Sequence, residues 1–410
     1  MLTENRAQLN STRAIGFKGD FVRRISRFAA AIAFLAILTV LPRASAQLIA
    51  VTSPDYRSDV HGTISIHVSA PGYRGPLEVK SWLPGNKYGS DSHVASVSLD
   101  SKGAGSFGFS ADRYPHGPIT VRITGTRASD GFVDTCYLQL YNIGGISWNE
   151  GIPAAAPPGA AGMRLVFQDD FNGPLSISGT GYGTRYGAHK PDGLDFSQIP
   201  FADPTTGGPF FQRDTYLIIQ ANAKRNTTGL ISSINSRDAT GFTVKAPYYM
   251  ECRFIAPDAI GIWPAWWTMT DEYKDGKWSD KSDELDIIEA YGGDGPKSPN
   301  APTAYMITPH MWGYKTADIA DKANPIDMRK VGGGGGWADT PHTYGLLVTT
   351  DTFFFYLDNV EVLKLPASPL AVRDPTYFMV NLATGGGWPV DLSRYGNIVD
   401  MYVDFIRVYH

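Results

Sequence analysis

Between Gln47 and about Gly144 apolar residues recur at every second position in short runs, as in Thr63-Ile64-Ser65-Ile66-His67-Val68 and Ile119-Thr120-Val121-Arg122-Ile123-Thr124. Side chains on a strand alternate between its two faces, so this period suits half-buried strands and fits no helix. Gly, Pro, Asp and Ser clusters bound each run, and the 44 Gly and 28 Pro of the 410 residues supply turns throughout. An all-β chain is the expectation.

The amino-terminal region is different. Residues Phe28 to Leu41 are an apolar run behind Arg23, Arg24 and Arg27, followed by Ala44-Ser45-Ala46. A basic flank, a short apolar core and small residues predict a signal peptide over residues 1–46, cleaved after Ala46. Spanning a bilayer takes about 20 apolar residues, and this run is shorter. A secreted or periplasmic protein is expected, with no membrane association after cleavage. Without residues 1–46 the chain holds 29 basic and 38 acidic residues, a net charge of −9. Nucleic-acid affinity depends largely on Lys and Arg neutralising phosphates, so nucleic acid is excluded as a partner. Cys136 and Cys252 are the only cysteines. Two cysteines make no disulfide scaffold and no zinc spacing, and each reads as a small buried hydrophobe.

Composition divides the rest. Residues 47–143 hold several short alternating runs and no catalytic constellation, which suits a small β-sandwich of the immunoglobulin or fibronectin type acting as an accessory module. Trp82, Tyr88 and Tyr114 in it suit packing or sugar contact. Residues 144–163 contain Pro153-Ala154-Ala155-Ala156-Pro157-Pro158-Gly159-Ala160-Ala161-Gly162, a stretch with little to bury that reads as a semi-rigid tether. Residues 164–410 return to strands and turns, enough for two stacked antiparallel sheets. The Gly332–Gly336 run suits a mobile loop near a site or a solvated insertion.

Acid is concentrated in one apolar strand, Asp283-Glu284-Leu285-Asp286-Ile287-Ile288-Glu289. Alternation puts Glu284 and Asp286 on one face and Glu289 on the other. A β-bulge, one extra residue between Asp286 and Glu289, returns Glu289 to the shared face and leaves Leu285, Ile287 and Ile288 on the apolar side. Retaining glycosidases need two carboxyls about 5–5.5 Å apart, one to attack the sugar and one to protonate the leaving oxygen. Taken alone, the acids equally suit a solvated face or an oxygen-lined Ca²⁺ site. Just upstream, Gly261-Ile262-Trp263-Pro264-Ala265-Trp266-Trp267 adds three indoles, onto which apolar sugar faces stack; one of the three is expected to be inward packing.

The Trp-Pro-Ala-x-Trp run and the Glu-x-Asp-x-x-Glu strand together resemble glycoside hydrolase family 16, in its bulge-containing laminarinase-like branch. Leu165-Val166-Phe167-Gln168-Asp169-Asp170-Phe171, His342-Thr343-Tyr344 with Tyr356-Leu357-Asp358-Asn359, Asn381-Leu382-Ala383-Thr384-Gly385-Gly386-Gly387-Trp388-Pro389 and the closing Val403–Tyr409 strand follow the family's order. The resemblance implies a β-jelly roll whose concave sheet forms an open polysaccharide cleft. It implies Glu284 as nucleophile, Asp286 as its helper and Glu289 as acid/base. Trp263, Trp267 and Trp388 become stacking residues, with His310 and Asn381 as polar contacts and Tyr291-Gly292-Gly293-Asp294 as a cleft wall. It implies no cofactor for catalysis, and a structural Ca²⁺ on Asp404 and Asp170 as an alternative to a salt-bridged Asp404. Trp278-Ser279-Asp280-Lys281-Ser282-Asp283 departs from the family's usual Trp-Pro-x-x-Gly.

The function expected is that of a secreted, monomeric, retaining endo-β-glycanase acting on a polysaccharide, with β-1,3 or mixed β-1,3/1,4-glucan foremost. The alternatives are a transglycosylase remodelling exopolysaccharide, a lectin-like jelly roll without chemistry, and an export-associated structural protein.

Overall fold

The computed structural model describes residues 48–84, 92–145, 156–274, 276–293, 303–314, 319–331 and 334–410. The expected signal peptide, tether residues 146–155, Tyr88 and Asp294 lie outside them. Among the described residues nearly all regular structure is strand.

Residues 50–142 form two sheets. One has three strands, in the order Ala50–Ser53, Thr63–Ser69, Ala104–Ser110; the other has five, in the order Asp59–Val60, Val133–Asn142, Gly117–Arg127, Tyr73–Lys80, His93–Val97. The alternation read from the sequence appears as burial, with Ile66, Val68, Val121 and Ile123 in the core while Ser65, His67 and Thr63 face water. Cys136 and Cys252 are both buried, and neither is in a disulfide. Trp82 and Tyr114 are packing residues, both buried.

The remaining residues build two large sheets. The first runs Ile177–Ser178, Tyr186–Gly187, Leu230–Ser232, Thr376–Thr384, Ile262–Thr270, Ser282–Glu289, Ala304–Trp312, Asn324–Asp327. The second runs Phe210–Arg213, Tyr216–Asn222, Ile398–Tyr409, Tyr248–Ile255, His342–Val348, Thr352–Leu357, Val360–Pro366, with Leu165–Asp169 paired to Ile398–Tyr409. This is the jelly-roll sandwich expected. Trp266, Leu285, Ile287, Ile288, Phe378 and Val380 from the first sheet share one core with Met250, Cys252, Phe254, Leu346 and Ile406 from the second. Trp266 is thus the inward indole of the three. Trp267, with Trp263 against it, belongs to a separate apolar surface that also includes Met269 and Tyr377.

Two expectations fail for reasons of packing. The Pro/Ala/Gly segment was expected to bury little, yet Pro158–Ala160 make one 3₁₀ turn and Ala160 is fully buried against Tyr249 and Tyr409. Small side chains there let backbone approach aromatic rings closely. Gly334, Gly335 and Gly336 are likewise buried, and Gly332 and Gly333 lie outside the described residues. Gly335 has φ +84° and a Cβ there would sit 3.0 Å from Trp82, so glycine permits the loop to lie on that indole.

Gln47 to His410 form one compact unit, tied by ion pairs distant in sequence: Arg57–Asp400 at 3.3 Å, Arg213–Asp59 at 2.5 Å, Arg394–Asp134 at 2.7 Å and Arg122–Asp339 at 2.9 Å.

Candidate active site

The acidic strand, Ser282–Glu289, is central in the first sheet, flanked by Ile262–Thr270 and Ala304–Trp312. On one side Glu284 pairs with His310 and Asp286 with Thr308, but Glu289 pairs with Met306. Three steps along the acidic strand therefore match two on its neighbour. On the other side Asp286 lies opposite Trp267 and Ile288 opposite Trp266, again one residue in excess. This is the bulge that the spacing requires, and Ile287 is taken up in it with its side chain in the core. Glu284, Asp286 and Glu289 consequently line one cavity of about 490 Å³.

Glu289 is held by three donors. The Trp263 indole N–H and the Tyr291 hydroxyl donate to Oε1 at 3.1 and 3.2 Å, and the Thr308 hydroxyl donates to Oε2 at 3.2 Å. Both hydroxyls can also accept, so this seat suits either protonation state of the carboxyl. Tyr291 stacks on Trp263 with centroids 5.5 Å apart, and Trp388 lies 5.0 Å beyond it, giving an aromatic row beside Glu289. Trp388 reaches the site through that row and is absent from the wall of the cavity itself.

Trp267 and Asn381 both line the cavity, and each serves the other: the Trp267 N–H donates to Asn381 Oδ1 at 2.7 Å, while the Asn381 amide donates to the Trp263 carbonyl at 3.3 Å. Fully buried, Asn381 sets the pose of the tryptophans.

Glu284 is held differently. Its Oε2 accepts from the Trp312 indole at 2.8 Å. Burial raises its pKa, and the His310 charge, the Trp312 hydrogen bond and Lys190 oppose that rise. Asp286 is pushed up by burial, then by Glu289 and Glu284. His310 lies between two carboxylates, its Nε2 3.3 Å from Asp286 Oδ2, without hydrogen-bond alignment, and its Nδ1 2.9 Å from Asp321 Oδ1. Burial pulls the imidazole down, but Asp286, Glu284 and Asp321 outweigh it and push it up to about 10. The ring is therefore an imidazolium at neutral pH, and its charge offsets part of the repulsion among the acids. Histidine C2–H resonances titrated by NMR should leave His310 in its charged form from pH 6 to 8, and Asp286→Asn should move its midpoint down; a wild-type midpoint near 6.5, the unperturbed value, contradicts this.

Donor atoms of Glu284, Asp286 and His310 fall within 4.8 Å of one another. Asp404 and Asp170, the expected Ca²⁺ ligands, lie elsewhere. Asp404 Oδ2 pairs with Arg253 at 3.2 Å. Its buried Oδ1 has no hydrogen-bond partner among the described residues, and burial, followed by the Asp170 charge, raises its pKa to about 6. Asp170 accepts from the Asn172 amide at 2.5 Å. An orphaned carboxylate oxygen near a second carboxylate fits a hard cation, whereas Arg253 already supplies one positive charge.

Sequence reasoning passed over Trp312 and Thr308. Both lie on Ala304–Trp312 at even spacing from His310, which places them on its face. That alternation was the available signal.

No protein-family model matches the chain. Among curated proteins, the endo-1,3-1,4-β-glycanase EglC of Rhizobium meliloti is 29% identical over 269 residues, covering 60% of this chain and 52% of that protein. The endo-1,3-1,4-β-glycanase ExsH of the same organism is 32% identical over 163 residues, 39% of this chain and 30% of that protein. The chain is similar in sequence to these two endo-β-glycanases. It spans about half the length of these relatives or less. Among solved structures, the laminarinase of Flavobacterium sp. UMI-01 aligns with TM-score 0.46 and 22% identity over 60% of this chain and all of that one.

Proposed function

We propose that this glycanase relative is itself a retaining endo-β-glycanase, exported from the cell, acting on β-1,3 or mixed β-1,3/1,4-glucan. One observation carries the reading: the bulge turns Glu284, Asp286 and Glu289 into a single cavity walled by indoles. Glu284 attacks the anomeric carbon while Glu289 protonates the glycosidic oxygen, so the C–O bond to the leaving sugar breaks as the glycosyl–Glu284 ester forms. Glu289, now a carboxylate, then takes a proton from water, whose oxygen displaces Glu284 and frees the second product. Asp286, between the two glutamates and charge-paired to His310, disfavours a further negative charge at the site and orients its neighbours. The aromatic row of Trp263, Tyr291 and Trp388 offers flat apolar faces to sugar rings.

Incubation with β-1,3-glucan, mixed β-1,3/1,4-glucan, β-1,4-glucan, agar and carrageenan tests this. Release of short oligosaccharides from the first two, with early loss of viscosity, is the expected result. Products longer than the added acceptors would place the chain with transglycosylases, and binding without release on every polymer would leave a lectin.

A further inference from the structure

Trp312 is 45% exposed, the only tryptophan among the large hydrophobic residues most open to water in the described chain. One face of its ring is covered by His310, with centroids 5.1 Å apart and planes 15° from parallel. His310 in turn is braced by Asp286 and Asp321. The ring is thus fixed, and its edge presents Nε1 to Glu284 Oε2 at 2.8 Å. An indole N–H can only donate, so Oε2 is committed as an acceptor. Oε1 makes no hydrogen bond to the described residues and is the oxygen left to act. Trp312 itself lines the cavity, so its uncovered face is available to a bound sugar.

Resting on the glycanase reading above, we infer that Trp312 positions the nucleophile, directing Glu284 Oε1 at the anomeric carbon, and that its free face is a stacking platform for a sugar unit next to the bond being cut. The site then has two indole anchors with separate tasks. Trp263 donates to Glu289 at one end of the acidic strand, and Trp312 donates to Glu284 at the other.

The two tasks separate by substitution. Trp312→Phe keeps a flat ring and removes the donor; Trp312→Ala removes both. On soluble β-1,3-glucan, Trp312→Phe should lower kcat about ten- to hundred-fold with KM nearly unchanged, the loss ascribed to one hydrogen bond to a charged group. Trp312→Ala should show the same fall in kcat and an added rise in KM. The acid limb of the kcat/KM profile should also move to higher pH in both variants, because a donor that favours the carboxylate is gone while Lys190, His310, Asp286, Glu289, Asp192 and Asp280 still face the cavity. A Trp312→Phe enzyme with wild-type kcat and an unmoved acid limb overturns the positioning role. Equal KM in the Phe and Ala variants overturns the platform. A wild-type protein that hydrolyses none of the glucans overturns the glycanase reading and this inference with it, an outcome distinct from both.

Discussion

Glu284→Gln is expected to lower kcat on β-1,3-glucan by on the order of 10⁴–10⁶-fold, the scale seen when a covalent nucleophile is removed. Glutamine is close to isosteric and still accepts from Trp312, so polysaccharide binding should survive, as measured by retention on insoluble glucan. Glu289→Gln should behave differently. It should cost about 10²–10⁴-fold on natural polymers, the usual range for a general acid/base. Aryl glycosides, whose leaving groups need no proton, should still form the glycosyl–Glu284 ester, and azide should speed its breakdown. Near-normal turnover by either variant contradicts the assignment of these two side chains.

Arg122→Ala is expected to lower the free energy of unfolding by about 3 kcal/mol, toward the lower end of the cost of stranding a buried partner, because Arg122 is itself partly exposed. The Asp339 carboxylate is completely buried. Its Oδ2 accepts both from Arg122 at 2.9 Å and from the Gly336 N–H at 2.7 Å, and its Oδ1 has no partner among the described residues. Burial raises the Asp339 pKa and Arg122 opposes the rise, so the variant leaves a charge that must either be protonated or disrupt the loop. Arg122 also lies over the Trp82 ring at 4.1 Å, so the truncation removes a cation–π contact as well. Urea denaturation of the variant and wild type measures the difference. A change below about 0.5 kcal/mol, within the range of an ordinary surface substitution, would show that this pair does not hold the two halves of the unit together.

The candidate site was legible in the sequence wherever local periodicity carries the information. The five steps from Glu284 to Glu289 violate alternation by one position, and apolar Leu285, Ile287 and Ile288 leave only one way to repair it, so the bulge follows from counting. The same counting separates Trp266, in the core, from Trp263 and Trp267. What escaped depends on partners far along the chain. Trp312 is 28 residues from Glu284, Asp339 is 217 from Arg122 and Asp400 is 343 from Arg57. No window of sequence joins such pairs. Composition misled for residues 156–163 and 334–336 because small residues signal both solvated links and close packing; only the rings of Tyr249 and Trp82 decide which applies.

The proposed hydrolysis requires Glu284 and Glu289 to act together across one sugar. Mass spectrometry of the Glu289→Gln variant, after reaction with an activated 2-deoxy-2-fluoro-β-glucosyl donor, tests that most directly. The prediction is a single glycosyl adduct on the peptide that contains Glu284. Turnover of the donor with no adduct, or an adduct on any other residue, would contradict it.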